Sequence, residues 1–256
     1  MMKKLTAFLL MMAPVVSMAA GGGVKLLDAD VDLNNKASLQ RGAQLYVNYC
    51  MGCHSLSYMR YNRMGKDLGL SDEQVVQNLM PVADFSKQPQ GETPKSGSLM
   101  KNAMPGEAAE GWFGTKVPDL SVVARSRGPD WLYTYLKTFY VDESRPMGVN
   151  NQAFPLVGMP HVLWELEGLK KPVYETHENA DGEEVKELVD YEFVKEGSMS
   201  PAEYDDAMRD LVNFLVYVGE PAKLDRYKIG VWVILFLVIL FFFAYALKKE
   251  YWRDVH

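Results

Sequence analysis

A mainly α fold with long irregular loops, a small β-hairpin and one C-terminal transmembrane helix is predicted by three observations. Apolar residues recur at helical spacing in several segments of the 256-residue chain. Strand signals are few. An uncharged run of nineteen residues, Ile229 to Leu247, lies near the C-terminus.

Residues 1–19 have the pattern of an export signal. Met1 to Lys4 form a basic start, Leu5 to Val16 an apolar stretch too short to cross a bilayer, and Ser17-Met18-Ala19 a small-x-small cleavage site. The mature chain is expected to begin at Ala20. Lys3 and Lys4 leave with the signal and no acid does, so the formal charge moves from −6 to −8.

Ala37 to Cys50 places Leu39, Ala43, Tyr46, Val47 and Cys50 at helical spacing. Ser71-Asp72-Glu73-Gln74 is a capping box that opens a short helix ending near Leu79. Residues 81–118 hold five prolines and five glycines without sustained periodicity, which predicts ordered but irregular chain. Asp130 to Tyr140 is expected to be helical, with Leu132, Leu136 and Phe139 on one side. Val173 to Tyr191 is the hairpin, turning at Asp181-Gly182. Ser200-Pro201-Ala202-Glu203 combines a capping box with proline at the first helical position, and its helix runs to a stop at Gly219 and Pro221. A linker, Glu220 to Tyr227, leads to the apolar run.

That run, at about 1.5 Å per residue, matches the ~30 Å hydrocarbon core. Trp232 and Tyr245 sit near its ends, and Lys248, Lys249 and Arg253 follow as a positive-inside flank. The expected organisation is a signal peptide at 1–19, a periplasmic domain at 20–228, a transmembrane helix at 229–247 and a cytoplasmic tail at 248–256.

Cys50-Met51-Gly52-Cys53-His54 names a chemistry: it is the attachment signature of a c-type haem. The two thiols can each add to a haem vinyl group, and His54 is then held under the iron. No further cysteine exists in the chain. A zinc ribbon would need a second Cys pair and a classical finger a downstream His pair, while a thioredoxin-like pair belongs in a βαβ context. One covalent haem c is therefore expected, with the cofactor as part of the core. The sixth ligand is open on spacing alone, among fifteen methionines and four histidines. Net negative charge argues against a nucleic-acid partner, and no nucleophile or phosphate-binding motif is present.

Four features, in this order, resemble cytochrome c1, the haem subunit of the cytochrome bc1 complex (quinol:cytochrome c oxidoreductase). They are Cys50-x-x-Cys53-His54 after a helix containing Gly42 and Tyr46; Pro118-Asp119-Leu120-Ser121 followed by Arg125 and Arg127; Gly158-Met159-Pro160; and a C-terminal helix running into an anchor. The resemblance implies Met159 as the axial sulfur and second metal ligand beside His54, with His161 a competitor the family pattern does not need. It also implies Arg127 near a haem propionate, Trp131 as a nearby aromatic, and Pro118 and Leu120 as pocket wall.

On the same ground the chain is expected to be an electron carrier and not an enzyme on its own. It would accept one electron from a Rieske iron-sulfur protein and pass it to a soluble or tethered cytochrome c, beside cytochrome b, in a dimeric complex anchored in the bilayer of a bacterial inner membrane. Glu175 to Glu192 holds eight acids against Lys186; it is a solvated face or a field that steers a basic partner, with Asp28, Asp30 and Asp32 as alternative contributors. Two other functions compete. One is an anchored haem catalyst or gas sensor with an open distal position, the other an independent tethered shuttle.

Overall fold

Two helices distant in sequence form the centre of the molecule. The computed structural model describes residues 24–80, 96–102, 104–178 and 184–255; the expected signal at 1–19, the Asp181-Gly182 turn and His256 lie outside the described residues. Helix α1 (Lys36–Leu45) starts at Asn35, whose side chain accepts the Ser38 N–H. It packs along α8 (Pro201–Gly219), which opens at the Ser200–Glu203 capping box. Gly42 lets the two backbones touch, since a Cβ there would sit 2.0 Å from the Asp210 carbonyl oxygen. Beside it, Arg41 grips Asp210 with two hydrogen bonds of 2.5 and 3.0 Å.

Between them in the chain lie short elements wrapped round this pair. α1 widens into a π-turn, Tyr46–Cys50. Then come β1 (Leu56–Arg60), α2 (Tyr61–Leu68) and α3 (Asp72–Leu79), the last with its Ser71–Gln74 capping box formed. β1 pairs antiparallel with β2 (Leu99–Met100). The stretch read as irregular contains this strand and also α4 (Gly106–Phe113), which ends at Gly114 with φ 68°. Its few core-facing residues, with Ala109 the buried one, hide it from a periodicity search.

α5 (Val123–Arg127) and α6 (Pro129–Lys137) meet at Gly128, φ 90°. The helix expected to reach Tyr140 stops at Lys137. Thr138 turns its hydroxyl to the Thr134 carbonyl and Asn151, and Phe139 belongs to β3 (Phe139–Val141), paired with β4 (Val149–Asn151). α7 (Trp164–Glu167) precedes the hairpin, β5 (Gly168–Glu178) and β6 (Glu184–Glu196), which is longer than the sequence signals suggest.

α8 carries a continuous row of buried residues, among them Met208, Leu211, Phe214 and Leu215, against α1 and α6. The final helix α9 (Lys223–Tyr251) is different: none of its residues is buried, and its most apolar window has a mean hydropathy of 2.8. It is long and apolar enough to cross a membrane. The expected linker to Tyr227 shrinks to Glu220–Ala222, because four of the six residues from Lys223 to Lys228 (Lys223, Leu224, Arg226 and Lys228) are good helix formers and Asp225 falls in the first turn, where an acid is favoured, so the apolar helix extends backwards.

Candidate functional site

The end of α1 decides where the Cys-x-x-Cys-His segment goes. The Met51 N–H bonds back to the Tyr46 carbonyl (2.9 Å), one residue wider than an α-turn, and the Cys53 and His54 N–H groups both turn onto the Cys50 carbonyl (3.1 and 2.8 Å). Cys50 is thus buried, Cys53 half-buried and His54 buried. Both thiols are free. Burial, aided by the neighbouring Cys53, pushes the Cys50 thiol up to about 12. Tyr46, itself fully buried, donates its hydroxyl to the His54 carbonyl at 2.6 Å. The Asn102 side chain donates to the Cys53 carbonyl, and its N–H to the Ser55 hydroxyl (3.0 Å).

His54 Nδ1 lies 2.8 Å from the Pro118 carbonyl oxygen. A carbonyl only accepts, so the proton sits on Nδ1 and the Nε2 lone pair is left for a metal. Burial lowers the His54 pKa, which favours the neutral ring, while the Pro118 bond and Asp119 act the other way. The segment Pro118–Ser121 is in turn stitched to Ser55–Tyr58. Asp119 accepts from the Ser57 and Ser121 N–H groups (2.9 and 2.8 Å), the Leu120 N–H donates to the Ser55 carbonyl (2.9 Å), and the Tyr58 N–H donates to the Ser121 hydroxyl (3.1 Å).

A narrow crevice opens beside His54. Its lining brings together Cys53 and His54 with Pro118 and with Gly158, Met159 and Pro160, the last three from a loop more than a hundred residues beyond His54; Tyr49, Phe113, Thr115, Lys116, Val117 and Val162 complete it. Gly158 is needed there, since a Cβ would come within 2.9 Å of Thr115 Cγ2. The Met159 sulfur accepts a hydrogen bond from the Tyr135 hydroxyl at 3.3 Å. Burial holds the Tyr135 phenol well above its ordinary pKa, so that proton stays in place.

His161 does not line this crevice. Its ring stacks on Phe139 (centroids 5.0 Å, 6°), and Nε2 sits 3.0 Å from Glu167 Oε2, an ion-pair distance without hydrogen-bond alignment. Glu167 also binds Lys170, whose ammonium donates to the Lys137 carbonyl at 2.6 Å. Arg127 and Trp131 do not line the crevice. The exposed Arg127 guanidinium lies over the Trp131 ring (5.0 Å) and the Phe154 ring (5.9 Å), with no carboxylate partner among the described residues. Trp131 stacks on Tyr135 (5.1 Å, 14°). Leu120, expected in the pocket wall, packs against the main core instead.

Sequence reasoning missed Tyr135, Asn102 and Asp119. Tyr135 left a signal, an aromatic pair with Trp131 at helical i,i+4 spacing, and Asp119 stood within the Pro118-Asp119-Leu120-Ser121 motif without a role of its own; Asn102 left none.

The donor set fits a c-type haem: the Cys53 thiol, an imidazole whose Nδ1 is committed to a carbonyl, and a thioether share one apolar crevice, with the second unbridged thiol, Cys50, buried three residues before Cys53. With the long apolar helix, this fold and site define a c-type cytochrome. A family model described as Cytochrome C1 family matches residues 30–255, and the chain belongs to that family. It is 51% identical to cytochrome c1 of Allochromatium vinosum, over the full length of both chains. It is 43% identical to a protein of Nitrosomonas europaea named ammonia monooxygenase gamma subunit, over 100% of this chain and 99% of the relative. Mitochondrial cytochrome c1 of Neurospora crassa is 30% identical over 84% of this chain and 61% of its own length. Family membership implies haem c and electron transfer in the cytochrome bc1 complex, with the subunit anchored in a membrane.

Proposed function

We propose that the chain is a one-electron relay whose haem c is held covalently by Cys50 and Cys53 and axially by His54 and Met159. The observation that carries this is the convergence of Cys53, His54 and Met159 on one crevice, with His54 Nδ1 committed to the Pro118 carbonyl. Haem c supplies a reversible one-electron couple at iron when bound. The protein supplies the rest. The buried Tyr46 and the Pro118–Ser121 strap fix the imidazole; Gly158 and Pro160 fix the loop that carries the thioether; the apolar lining keeps water from the couple. A thioether opposite imidazole favours a higher potential than a second imidazole would, which suits an acceptor late in a respiratory chain. Arg127, exposed and without a carboxylate partner among the described residues, is suited to a propionate.

The electron comes from a Rieske iron-sulfur protein and leaves to a soluble or tethered cytochrome c. The haem domain lies in the periplasm of a bacterial cell, α9 spans the inner membrane beside cytochrome b, and residues 248–256 are cytoplasmic, within a dimeric complex. Family membership supports the assembly, and the apolar α9 supports the anchor. Glu175, Glu184, Asp190 and Glu192 are exposed on the hairpin, where their field would speed the encounter of a basic partner.

The experiment is chemical. In the Cys50→Ser, Cys53→Ser double variant, any haem should become extractable by acid acetone, whereas wild type retains it; retention by the variant would overturn the attachment reading. The relative named for ammonia monooxygenase prompts a second reading, membership of a different assembly. A b-type haem spectrum copurifying in mild detergent decides for the bc1 complex.

A further inference from the structure

We propose that Tyr135 is a positioning residue for the Met159 sulfur, holding one of its lone pairs so that the other is presented to the haem iron. This rests on the reading of Met159 as an axial ligand. The hydroxyl donates to Met159 Sδ at 3.3 Å, across 24 residues of sequence. A thioether is a weak acceptor, so the contact is the product of placement. That placement is built from several sides. The Tyr135 ring stacks on Trp131 and meets Phe139 edge-on (5.1 Å, 73°), while its carbonyl accepts the Asn151 side chain at 2.7 Å.

Phe139 in turn stacks on His161, two residues beyond Met159. The Met159 loop is therefore held through its sulfur by Tyr135 and through His161 by the ring that Tyr135 touches. A sulfur that accepts a hydrogen bond donates less electron density to iron. Oxidised iron loses more from that than reduced iron, so the Tyr135 bond raises the potential. It also restrains the thioether from swinging away, which protects the sixth position from external ligands.

The test compares four full-length proteins purified with haem in mild detergent: wild type, Tyr135→Phe, Met159→Leu and Tyr133→Phe. Phenylalanine at 135 preserves the ring packing. Tyr133 is the control, on the same helix, with a buried hydroxyl that has no hydrogen-bond partner among the described residues. Covalent haem per chain, the weak sulfur-to-iron absorption, the midpoint potential and imidazole binding to the oxidised form are measured. Tyr135→Phe should keep its covalent haem and its sulfur band, shifted or weakened. It should bind imidazole about threefold more tightly, the scale of one weak hydrogen bond. Its midpoint should fall by about 28 mV, which is threefold at 59 mV per tenfold for one electron. Tyr133→Phe should match wild type. If Met159→Leu loses the band while Tyr135→Phe equals wild type throughout, or if Tyr133→Phe shifts as far as Tyr135→Phe, the role of Tyr135 is overturned and the ligand reading stands. If Met159→Leu keeps the band, the ligand reading fails and this proposal with it.

Discussion

Asp119 is the residue on which the proximal side of the site hangs. It sits between Pro118, which orients His54, and Leu120, and it accepts two backbone N–H groups from Ser57 and Ser121. Partial burial alone would raise its pKa, but the hydrogen bonds from Ser121 and Ser57 outweigh this and hold the carboxyl below the usual range. A group with a depressed folded pKa contributes stability that is complete above its unfolded value, about 4, and is lost as pH falls through the folded value. Asp119→Asn should therefore lower stability at pH 7 by on the order of 1 kcal/mol, discounted for its exposed position. The gap between variant and wild type should shrink below about pH 4. Denaturant unfolding at pH 7 and pH 3 checks both signs; a gap that persists unchanged in acid would mean that the carboxylate charge is not what holds the strap. Only half of this role is local: the Ser121 N–H two residues on makes an Asx-turn inside the Pro118-Asp119-Leu120-Ser121 motif, whereas the Ser57 N–H comes from 62 residues away and no local pattern announces it. His54 and the cysteines were legible because their chemistry is written within five consecutive residues. Met159 was legible only through the resemblance carried by Gly158-Met159-Pro160, since spacing offers no way to tell it from the other methionines; the fold brings it to the crevice.

At the scale of elements, the closest contact is α1 on α8, and Gly42 is its hinge point. A methyl at Gly42 would overlap the Asp210 carbonyl and come within 2.7 Å of Phe214 Cβ. Neither helix can shift freely, since Arg41 and Asp210 are paired alongside and Asn213 donates to Ser38 and to the Asp32 carbonyl (2.9 and 2.7 Å). Gly42→Ala should cost about 1–3 kcal/mol, typical of overpacking, and because α1 leads into the π-turn it should also lower the yield of covalent haem. Thermal unfolding and a pyridine haemochrome assay measure the two effects; a stability within 0.5 kcal/mol of wild type, the range of neutral surface changes, would show that the helices part easily. The two capping boxes were readable because a cap is complete within four residues. The strand pairs β1–β2 and β3–β4 were not: the strands are two to five residues long, too short for alternation to show, and Leu56 finds its partner at Met100. The end of α6 was misplaced for a related reason. Phe139 continues the helical period in sequence, yet pairing with Asn151 draws it into β3.

For the whole molecule the decisive feature is that α9 shares no core with the domain that precedes it. Every described side chain of the helix stays out of the interior, and the crevice is lined by residues 49–162. The apolar run was plain from composition alone, whereas its start at Lys223 was not, because polar residues propagate a helix as readily as they end one. Near the junction the Arg226 guanidinium grips Glu220 (2.5 and 3.2 Å), a solvent-screened pair of the kind that contributes little to stability. A chain ended at Ala222 gives up that pair and the half-buried Lys223 and Leu224, which line a cleft with Val31 and Val216, but no buried residue. It should be exported, remain soluble without detergent, carry covalent haem, and lose no more than about 1 kcal/mol in denaturant unfolding. Its midpoint potential should equal that of the full chain, since the residues proposed to set it, His54, Met159 and Tyr135, all lie in the retained part. Fractionation, absorption spectra and redox titration of the shortened protein test this together. A soluble domain with an altered potential would mean that the membrane-side surroundings, and not the crevice alone, set the couple; loss of haem on shortening would mean that α9 supports the folding of a domain it does not touch through its core.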